Sequence, residues 1–477
     1  MTRDPSAPAS RLEILPRLAA IVGPKNLITN AAEMAPYLVE PRGLFKGKAL
    51  CVARPGTTAE VAAIVALCDE TGTKLVPQGG NTGLVGGQIP DERGDEIVLS
   101  LVRLNRLREI DPYSNTMIVE AGMTLAQVQA EAEAVERTFP LSLAAEGSCT
   151  IGGNLATNAG GTAVLAYGNA RDLVLGVEVV LADGRILSDL SKLRKDNTGY
   201  DLKHLFMGSE GTLGIITAAV LKLYPKPRAV ATGFVGLADP QHALRFLDLA
   251  RDRAGGELKS FELIPRIGIT SLLKHMDHVR DPLPNPSPWY VLIELAGQSE
   301  GLEQRLLALL ENAAETGVIL NATIAASLEQ RKDFWRLREL LSEVQGGEGG
   351  SIKHDVSVPI ADVPSFLEEV EEAVTCAVRG ARLFAFGHLG DGNIHCNVSQ
   401  PIGADTAVFL ARWDEVNEIV NAIVVAHHGS IAAEHGIGRL KRHLLRSVKD
   451  PVALDIMRAL KRTLDPKGIL NPGKLLD

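Results

Sequence analysis

The sequence predicts an α+β protein built in two parts, and three observations carry that expectation. Up to about residue 225, short strand signals alternate with helices and are interrupted by three glycine-rich stretches. A boundary follows at KPRAVAT (226–232). Beyond it the pattern changes to long amphipathic helices and separated strands, as expected of a mainly antiparallel sheet covered by helices. With 477 residues and 45% hydrophobic content, the chain is long enough for two or three domains with their own cores.

The elements follow in order. Residues near 8–40 read as short helices. ALCVARP (49–55) is a strand ending at Pro55, and Thr57 or Thr58 caps a helix running to about Gly72. TKLVPQGG is a strand entering a glycine loop. EIVLSL and NTMIVEAG are strands, and LAQVQAEAEAV is a helix. LVLGVEVVLADGRIL is a pair of strands joined at Ala-Asp-Gly. TLGIITAAVLKLYP is a strand segment stopped by Pro225. In the second part, RFLDLARDRAGG, GLEQRLLALLENAAETG and VPSFLEEVEEAVTCAVRG are helices, whereas WYVLIELAG and ARLFAFGHLG are strands. NPSP (285–288) is a surface loop. A helix followed by DPKGILNPGKLL closes the chain. The expected divisions are 1–226, 227–449 and a last segment, 450–477, that returns to the first domain.

Charge and cysteine usage exclude several classes. The net charge is −9, and no Lys/Arg block could follow a nucleic-acid backbone. Cys51, Cys68, Cys149, Cys376 and Cys396 are scattered, with no C-x-x-C for an iron–sulfur cluster or zinc ribbon. A reducing, cytoplasmic compartment is expected. MTRDPSAPASRLEILPRL lacks a continuous apolar run, and no stretch reaches the length of a membrane span, although a peripheral membrane contact stays open.

The glycine stretches are PQGGNTGLVGG (77–87), EGSCTIGGNLATNAGG (146–161) and GSEGTLGII (208–216). A pyrophosphate needs several backbone N–H groups turned into one concavity, and glycine permits the backbone angles of such nests. Asn81, Thr82, Ser148, Asn154 and Thr157 add neutral donors. One such loop could be an ordinary turn; three beside strand signals point to a phosphate-bearing ligand. No G-x-G-x-x-G follows a first strand, so a nicotinamide Rossmann site is disfavoured.

PQGGNTGLVGG, GSCTIGGNLATNAGG, RKDNTGYDLKHLFMGSEGTLGIIT and the tail LNPGKLL resemble the FAD-linked oxidase family with the vanillyl-alcohol-oxidase type of flavin domain. The resemblance runs from about residue 45 to the end and is nearest to the D-2-hydroxyglutarate and D-lactate dehydrogenase groups. It implies a two-part α+β FAD-binding domain and an α+β cap domain with a mainly antiparallel sheet. It implies flavin contacts from Pro77, Gly79, Gly80, Asn81, Thr82, Gly83, Gly86 and Gly87 in the first loop. The second loop contributes Gly147, Ser148, Ile151, Gly152, Gly153, Asn154, Ala156, Thr157, Asn158, Gly160 and Gly161; Gly211, Ile216 and Asn471 complete the set. Covalent members carry a His or Cys tether. The first loop has Asn81 in place of a His, and the surroundings of Cys149 resemble the non-covalent members, so dissociable FAD is expected.

Two segments of the second half hold the remaining chemistry. FGHLGDGNIHCNV (386–398) places His388 and His395 on the arms of a Gly390–Asn393 turn. Asn397, two residues past His395, shares its strand face. AEHGIG (433–438) supplies Glu434 and His435. Two imidazoles and one carboxylate suit a divalent metal, and an isolated H-x6-H is also found on ordinary surfaces. The family resemblance assigns His388, His395 and Glu434 as metal ligands, with zinc expected and manganese or iron open. A cation on the hydroxyl and carboxylate of a 2-hydroxy acid lowers the alcohol pKa, so that a hydride can pass from Cα to flavin N5. His435 matches the family's general base; fourth ligand or structural histidine are its alternatives. Asn397 would donate to the substrate.

FWRLRELLS (334–342) is helical in pattern, with Arg338 and Ser342 at i,i+4 on one face. Lys353 follows in the strand-like SIKHDVSVP. These three match residues that hold the distal carboxylate in D-2-hydroxyglutarate dehydrogenases, with Ser342 where threonine is commoner. The alternative is an ordinary ion pair, for instance with Glu339 or Asp355. The resemblance therefore implies FAD- and metal-dependent oxidation of D-2-hydroxyglutarate to 2-oxoglutarate, with D-lactate, glycolate or another D-2-hydroxy acid as the alternative. A non-catalytic flavin subunit of a complex, or a colourless metal-dependent hydrolase, are competing classes. Electron-transfer flavoprotein is the expected acceptor, before a quinone or cytochrome, and the family also suggests a homodimer.

Overall fold

The computed structural model describes residues 13–476, and these form two compact units. One unit contains the described residues up to Ala159, then Asn169–Lys226, then the chain from His435 onward; the other contains Gly160–Gly168 and Pro227–Glu434. The return to the first unit comes at His435, earlier than the expected 450. The contact that holds it there is long-range: the backbone N–H groups of Ile437 and Gly438 donate to the Glu210 carboxylate at 2.7 and 2.8 Å. The excursion Gly160–Gly168, expected within the flavin domain, packs in the second unit, where Ser260 Oγ donates to the Thr162 carbonyl at 3.0 Å.

In the first unit, Leu27–Ile28 (β1), Cys51–Ala53 (β2), Lys74–Gln78 (β3) and Glu96–Ser100 (β4) form a sheet of order β1-β2-β4-β3. β2 and β3 run parallel to β4. The crossover is the helix Thr58–Thr71, capped by Thr57, whose hydroxyl accepts from the Glu60 N–H, and closed by left-handed Gly72. Its Val61, Ile64, Val65 and Cys68 pack on Cys51, Leu75, Ile97 and Leu99. The helical expectation near 8–40 holds for Ile14–Val22 and Ala31–Met34; residues 8–12 lie outside the described residues.

The second sheet uses Leu107–Asp111 (β5), Thr116–Glu120 (β6), Val174–Val180 (β8), Ile186–Asp189 (β9) and Ile215–Lys222 (β10), in the order β5-β6-β10-β8-β9. Arg137–Thr138 (β7) pairs with Tyr224–Pro225 (β11). β8 and β9 are the strand pair expected around Ala-Asp-Gly, and they run antiparallel. The tail segment lies beside β3: the Leu75 N–H donates to the Ile469 carbonyl and the Asn471 N–H to the Leu75 carbonyl, both at 2.8 Å. That pairing brings Asn471 to the mouth of the first glycine loop.

The second unit is built on one antiparallel sheet. Its strands are Ala229–Leu237 (β12), Leu258–Pro265 (β13), Trp289–Gly297 (β14), Asn321–Ile324 (β15), Ser351–Ile352 (β16), Asp355–Ser357 (β17), Arg382–His388 (β18) and Asn393–Ser399 (β19). The order is β15-β12-β14-β13-β18-β19-β16, with β17 also on β19. SIKHDVSVP is thus two short strands, with Lys353 and His354 between them. One sheet face packs Phe234, Ile264, Tyr290, Phe384 and Phe386 against Ile269, Leu272, Phe334, Leu337, Leu341 and Val344. The expected single helix through Ser342 breaks at Leu340: Leu328–Glu339 ends there and Leu341–Val344 starts anew. Arg338 is buried while Ser342 is exposed. Arg338's ion-pair partner is neither Glu339 nor Asp355 but Glu262.

Candidate active site

A cavity within the first unit is lined by the loop that follows β3, by the short helix Ile151–Ala156 and by the turn around Glu210. Pro77, Gly79, Gly80, Asn81, Thr82, Gly83, Gly87, Gly152, Gly153, Asn154, Ala156, Thr157, Gly211, Ile216 and Asn471 all line it. Close approach explains the glycines: a Cβ on Gly80 would lie 1.9 Å from the Ser148 carbonyl oxygen, and one on Gly79 2.3 Å from Thr150 Oγ1. The backbone N–H groups of Gly80, Asn81, Thr82 and Gly83 donate to no protein acceptor among the described residues. Asn81 sits at φ +55, a conformation Asn tolerates, and its amide holds the Pro36 and Val39 carbonyls at 3.0 Å.

Other expected flavin residues stand off the cavity. Gly86 lies beneath the Phe45 ring, Ser148 backs Gly80 through its carbonyl, and Ile151 is core. Asn158 accepts from the Arg171 N–H at 3.0 Å. Gly147 borders open space, and Gly160 and Gly161 belong to the second unit. Cys149 is buried and absent from the lining.

Thr150, Gln88 and Glu210 are among the lining residues that the sequence reading did not single out. Thr150 Oγ1 and Asn471 Oδ1 (of a residue already expected) are buried without a partner among the described residues, as if awaiting a polar ligand. Gln88 donates to Asn81 Oδ1 and the Gly83 carbonyl and so shapes the loop. Glu210 is the third. Burial pushes its carboxyl up to about 7, against the pull of the Ile437 and Gly438 N–H groups. An acid inside the glycine-bounded GSEG stretch was its only sequence signal; in the structure it adopts φ +52.

A folded pKa above the unfolded one means that the folded chain holds the extra proton between the two values. Stability conferred by that proton is present at low pH and is lost as pH rises toward about 7. We therefore expect Glu210→Gln to flatten this slope. The Tm of the variant relative to the parent should improve between pH 5 and pH 8 (about neutral on either side); an unchanged difference would discount Glu210 titration.

The second cluster lies on the aromatic face of the second unit's sheet, and strand register assembles it. Phe386 opposes His395 and Phe384 opposes Asn397 across the β18–β19 hairpin. Glu262 of β13 opposes His388, and Asp355 of β17 opposes His395. The ligand atoms of His388, His395 and Glu434 lie within 4.8 Å of one another. His388 Nε2 is 3.5 Å from Glu434 Oε1, and its Nδ1 is 2.8 Å from Glu262 Oε1. Burial lowers the His388 pKa, but Glu262 overrides it and raises the ring to about 9. Burial pushes Glu434 upward, and His388 draws it back. The Glu434 backbone is fixed by its N–H donating to Asp355 Oδ2 at 2.9 Å. Two imidazoles, one with a carboxylate behind it, and a half-buried carboxylate as third ligand fit a divalent ion.

Arg338 Nε donates to Glu262 Oε2 at 2.8 Å, and its guanidinium carbon lies 4.9 Å from the Phe386 ring centre. Lys353, half-buried, donates to the Ser342 carbonyl at 3.3 Å. Asn397 is occupied by protein partners: Nδ2 donates to Gln345 Oε1 and Oδ1 accepts from the His354 N–H, both at 3.1 Å. Its second amide hydrogen is what remains for a ligand. Glu262 was missed by the sequence reading, although an acid inside LKSFELIP is costly to bury unless paired.

Models of known families settle the class. Residues 49–189 match the FAD binding domain, and residues 226–475 match the C-terminal domain of FAD linked oxidases. The chain belongs to the FAD-linked oxidase family. This FAD-linked oxidase is 39% identical to a mitochondrial D-2-hydroxyglutarate dehydrogenase of Bos taurus, over 96% of the chain and 83% of that protein. It is 36% identical to the mitochondrial enzyme of that name from Arabidopsis thaliana, over 96% and 80%. It is 38% identical to a D-2-hydroxyglutarate dehydrogenase of Xanthomonas citri pv. viticola, over 90% and 89%. The fold matches p-cresol methylhydroxylase with a TM-score of 0.76 at 17% identity, covering 99% of this chain and 98% of that one. Alkyldihydroxyacetonephosphate synthase matches with 0.75 at 17%, covering 98% and 86%. The FAD-linked oxidase is an FAD-dependent oxidoreductase with a two-domain, vanillyl-alcohol-oxidase-like fold. No helix among its described residues is long and apolar enough to cross a membrane. The free N–H groups and the partnerless Thr150 and Asn471 oxygens fit a flavin dinucleotide in the first unit's cavity.

Proposed function

We propose that this FAD-linked oxidase oxidises D-2-hydroxyglutarate to 2-oxoglutarate, with the hydride passing from Cα to flavin N5 and the electrons leaving to an external acceptor such as an electron-transfer flavoprotein. The observation that carries the reading is Glu262. One carboxylate touches both Arg338 and His388 at 2.8 Å, so an anion-binding cation and a metal-binding imidazole stand side by side. The relatives named D-2-hydroxyglutarate dehydrogenase support the substrate.

His388, His395 and Glu434 would hold the divalent ion, with zinc first, and a bound ion would supply Lewis acidity toward the substrate hydroxyl. His435, which lines the flavin cavity, takes the hydroxyl proton. Arg338, assisted by Lys353, holds the distal carboxylate, because a planar fork and a point charge together match an extra anionic group. Asn397 adds one amide hydrogen toward the substrate. FAD is held without a covalent bond, in keeping with the absence of Cys149 from the cavity lining; acid denaturation should release the yellow colour into the supernatant, and colour left in the pellet would refute this.

D-Lactate is the second reading, favoured by the exposure of Ser342 while Arg338 is buried. Substrate profiling of metal-replete Lys353→Ala separates the two. The kcat/KM for D-2-hydroxyglutarate should fall at least about tenfold, the scale of one lost charged hydrogen bond, with D-lactate activity little changed. Equal losses, or a parent enzyme that prefers D-lactate, would sink the dicarboxylate assignment.

A further inference from the structure

Glu262 has no part in the chemistry above, yet it is buried and held at both oxygens. Its side chain is 1% exposed, within a strand that is otherwise largely apolar. Each oxygen has one charged partner: Oε1 lies 2.8 Å from His388 Nδ1, and Oε2 accepts from Arg338 Nε at 2.8 Å. Burial alone would raise its pKa, but His388 and Arg338 hold it down to about 2. Isolated burial of such a charge is unfavourable, so both contacts are needed to keep it in place.

The two contacts have separate consequences. Donation from Nδ1 to Oε1 fixes the His388 ring and leaves Nε2 toward Glu434, the orientation a metal ligand requires. Capture of Nε by Oε2 fixes the Arg338 fork, already stacked near Phe386, and leaves its terminal nitrogens for a second carboxylate. We infer that Glu262 is a positioning residue that sets metal affinity and dicarboxylate preference together, through one carboxylate shared between a metal ligand and the substrate-binding arginine. This rests on the reading of His388, His395 and Glu434 as the metal site and of Arg338 as a substrate contact.

The test uses flavin-loaded full-length protein. Zn2+ affinity is measured by competition with a chromophoric chelator, and the site is also loaded with Co2+ for its visible absorption. Glu262→Gln keeps the size but cannot accept from both neighbours, because half of its amide is a donor. Zn2+ affinity should weaken about 10–100-fold and the Co2+ bands should change. The preference for D-2-hydroxyglutarate over D-lactate, as a ratio of kcat/KM values, should fall by about tenfold or more. Glu262→Asp keeps the charge with a shorter reach and should recover part of the Zn2+ affinity. If Glu262→Gln does not accumulate with bound flavin, Glu262→Asp alone carries the test: Zn2+ affinity between the parent's and that of His388→Ala is expected.

Parent-like Zn2+ affinity in the glutamine variant, or in the aspartate variant when it stands alone, overturns the inference. So does a weakened Zn2+ site with an unchanged substrate ratio. His388→Ala separates this failure from that of the underlying reading. If it binds Zn2+ like the parent, the metal site itself is misassigned and both fall; if it loses Zn2+ while Glu262→Gln retains it, only the role of Glu262 falls.

Discussion

His435→Asn is expected to lower kcat about a hundred- to ten-thousandfold, the usual contribution of a positioned general base, with flavin absorbance and metal content unchanged. The residue lines the flavin cavity, and the chain around it is held firmly. Gly436 follows at φ +81, where a Cβ would lie 2.8 Å from Glu210 Oε1, and the next two N–H groups donate to that carboxylate. Asparagine preserves polarity and approximate size but cannot carry a proton at neutral pH. The loss should therefore appear in kcat and in the pH profile, whose basic group should vanish. A variant with normal kcat, or one that loses its metal instead, would reassign His435 as a spectator or a ligand.

Removing the metal should be comparably severe. Prolonged dialysis against a chelator is expected to cut activity with D-2-hydroxyglutarate by about a hundredfold or more. Lewis-acid stabilisation of several kcal/mol is lost, and each 1.4 kcal/mol is about a factor of ten. The flavin should stay bound, because His388, His395 and Glu434 are not among the residues that line its cavity. Readdition of Zn2+ should restore turnover. Full activity in protein shown by elemental analysis to be metal-free would remove the ion from the mechanism.

Much of this was legible in the sequence because it lay in short, contiguous signals. The Ala-Asp-Gly strand pair, the Thr57-capped helix and the Gly390–Asn393 hairpin are local events, decided by turn chemistry and side-chain period. Spacing alone put His395 and Asn397 on one strand face, since residues of even separation share it, and put His388 on the other arm of the turn. Partners brought by strand pairing were not legible. Nothing local says that β13 aligns Glu262 with His388, or that β17 aligns Asp355 with His395. The helix break at Leu340 was missed for a related reason. Phe334, Leu337, Leu341 and Val344 keep a regular 3–4 apolar spacing straight across it, so the pattern reads as one helix. Likewise, the early return at His435 depends on Glu210, more than two hundred residues upstream.

That break at Leu340 also bears on how such an enzyme can change over time. His388 and His395 are fixed by strand hydrogen bonds, where a one-residue slip would turn either imidazole to the opposite face. Lys353 is held in the same way, because Ile352 opposes Val398 and Asp355 opposes His395 in one register along β19, whereas Ser342 sits on a separate helical turn off the sheet. The turn that carries Ser342 can therefore drift, while Lys353, and Arg338 through Glu262, stay tied to the same sheet as the residues proposed to hold the metal. A lineage could widen or narrow its range of hydroxy acids through that one stretch and keep its redox chemistry intact.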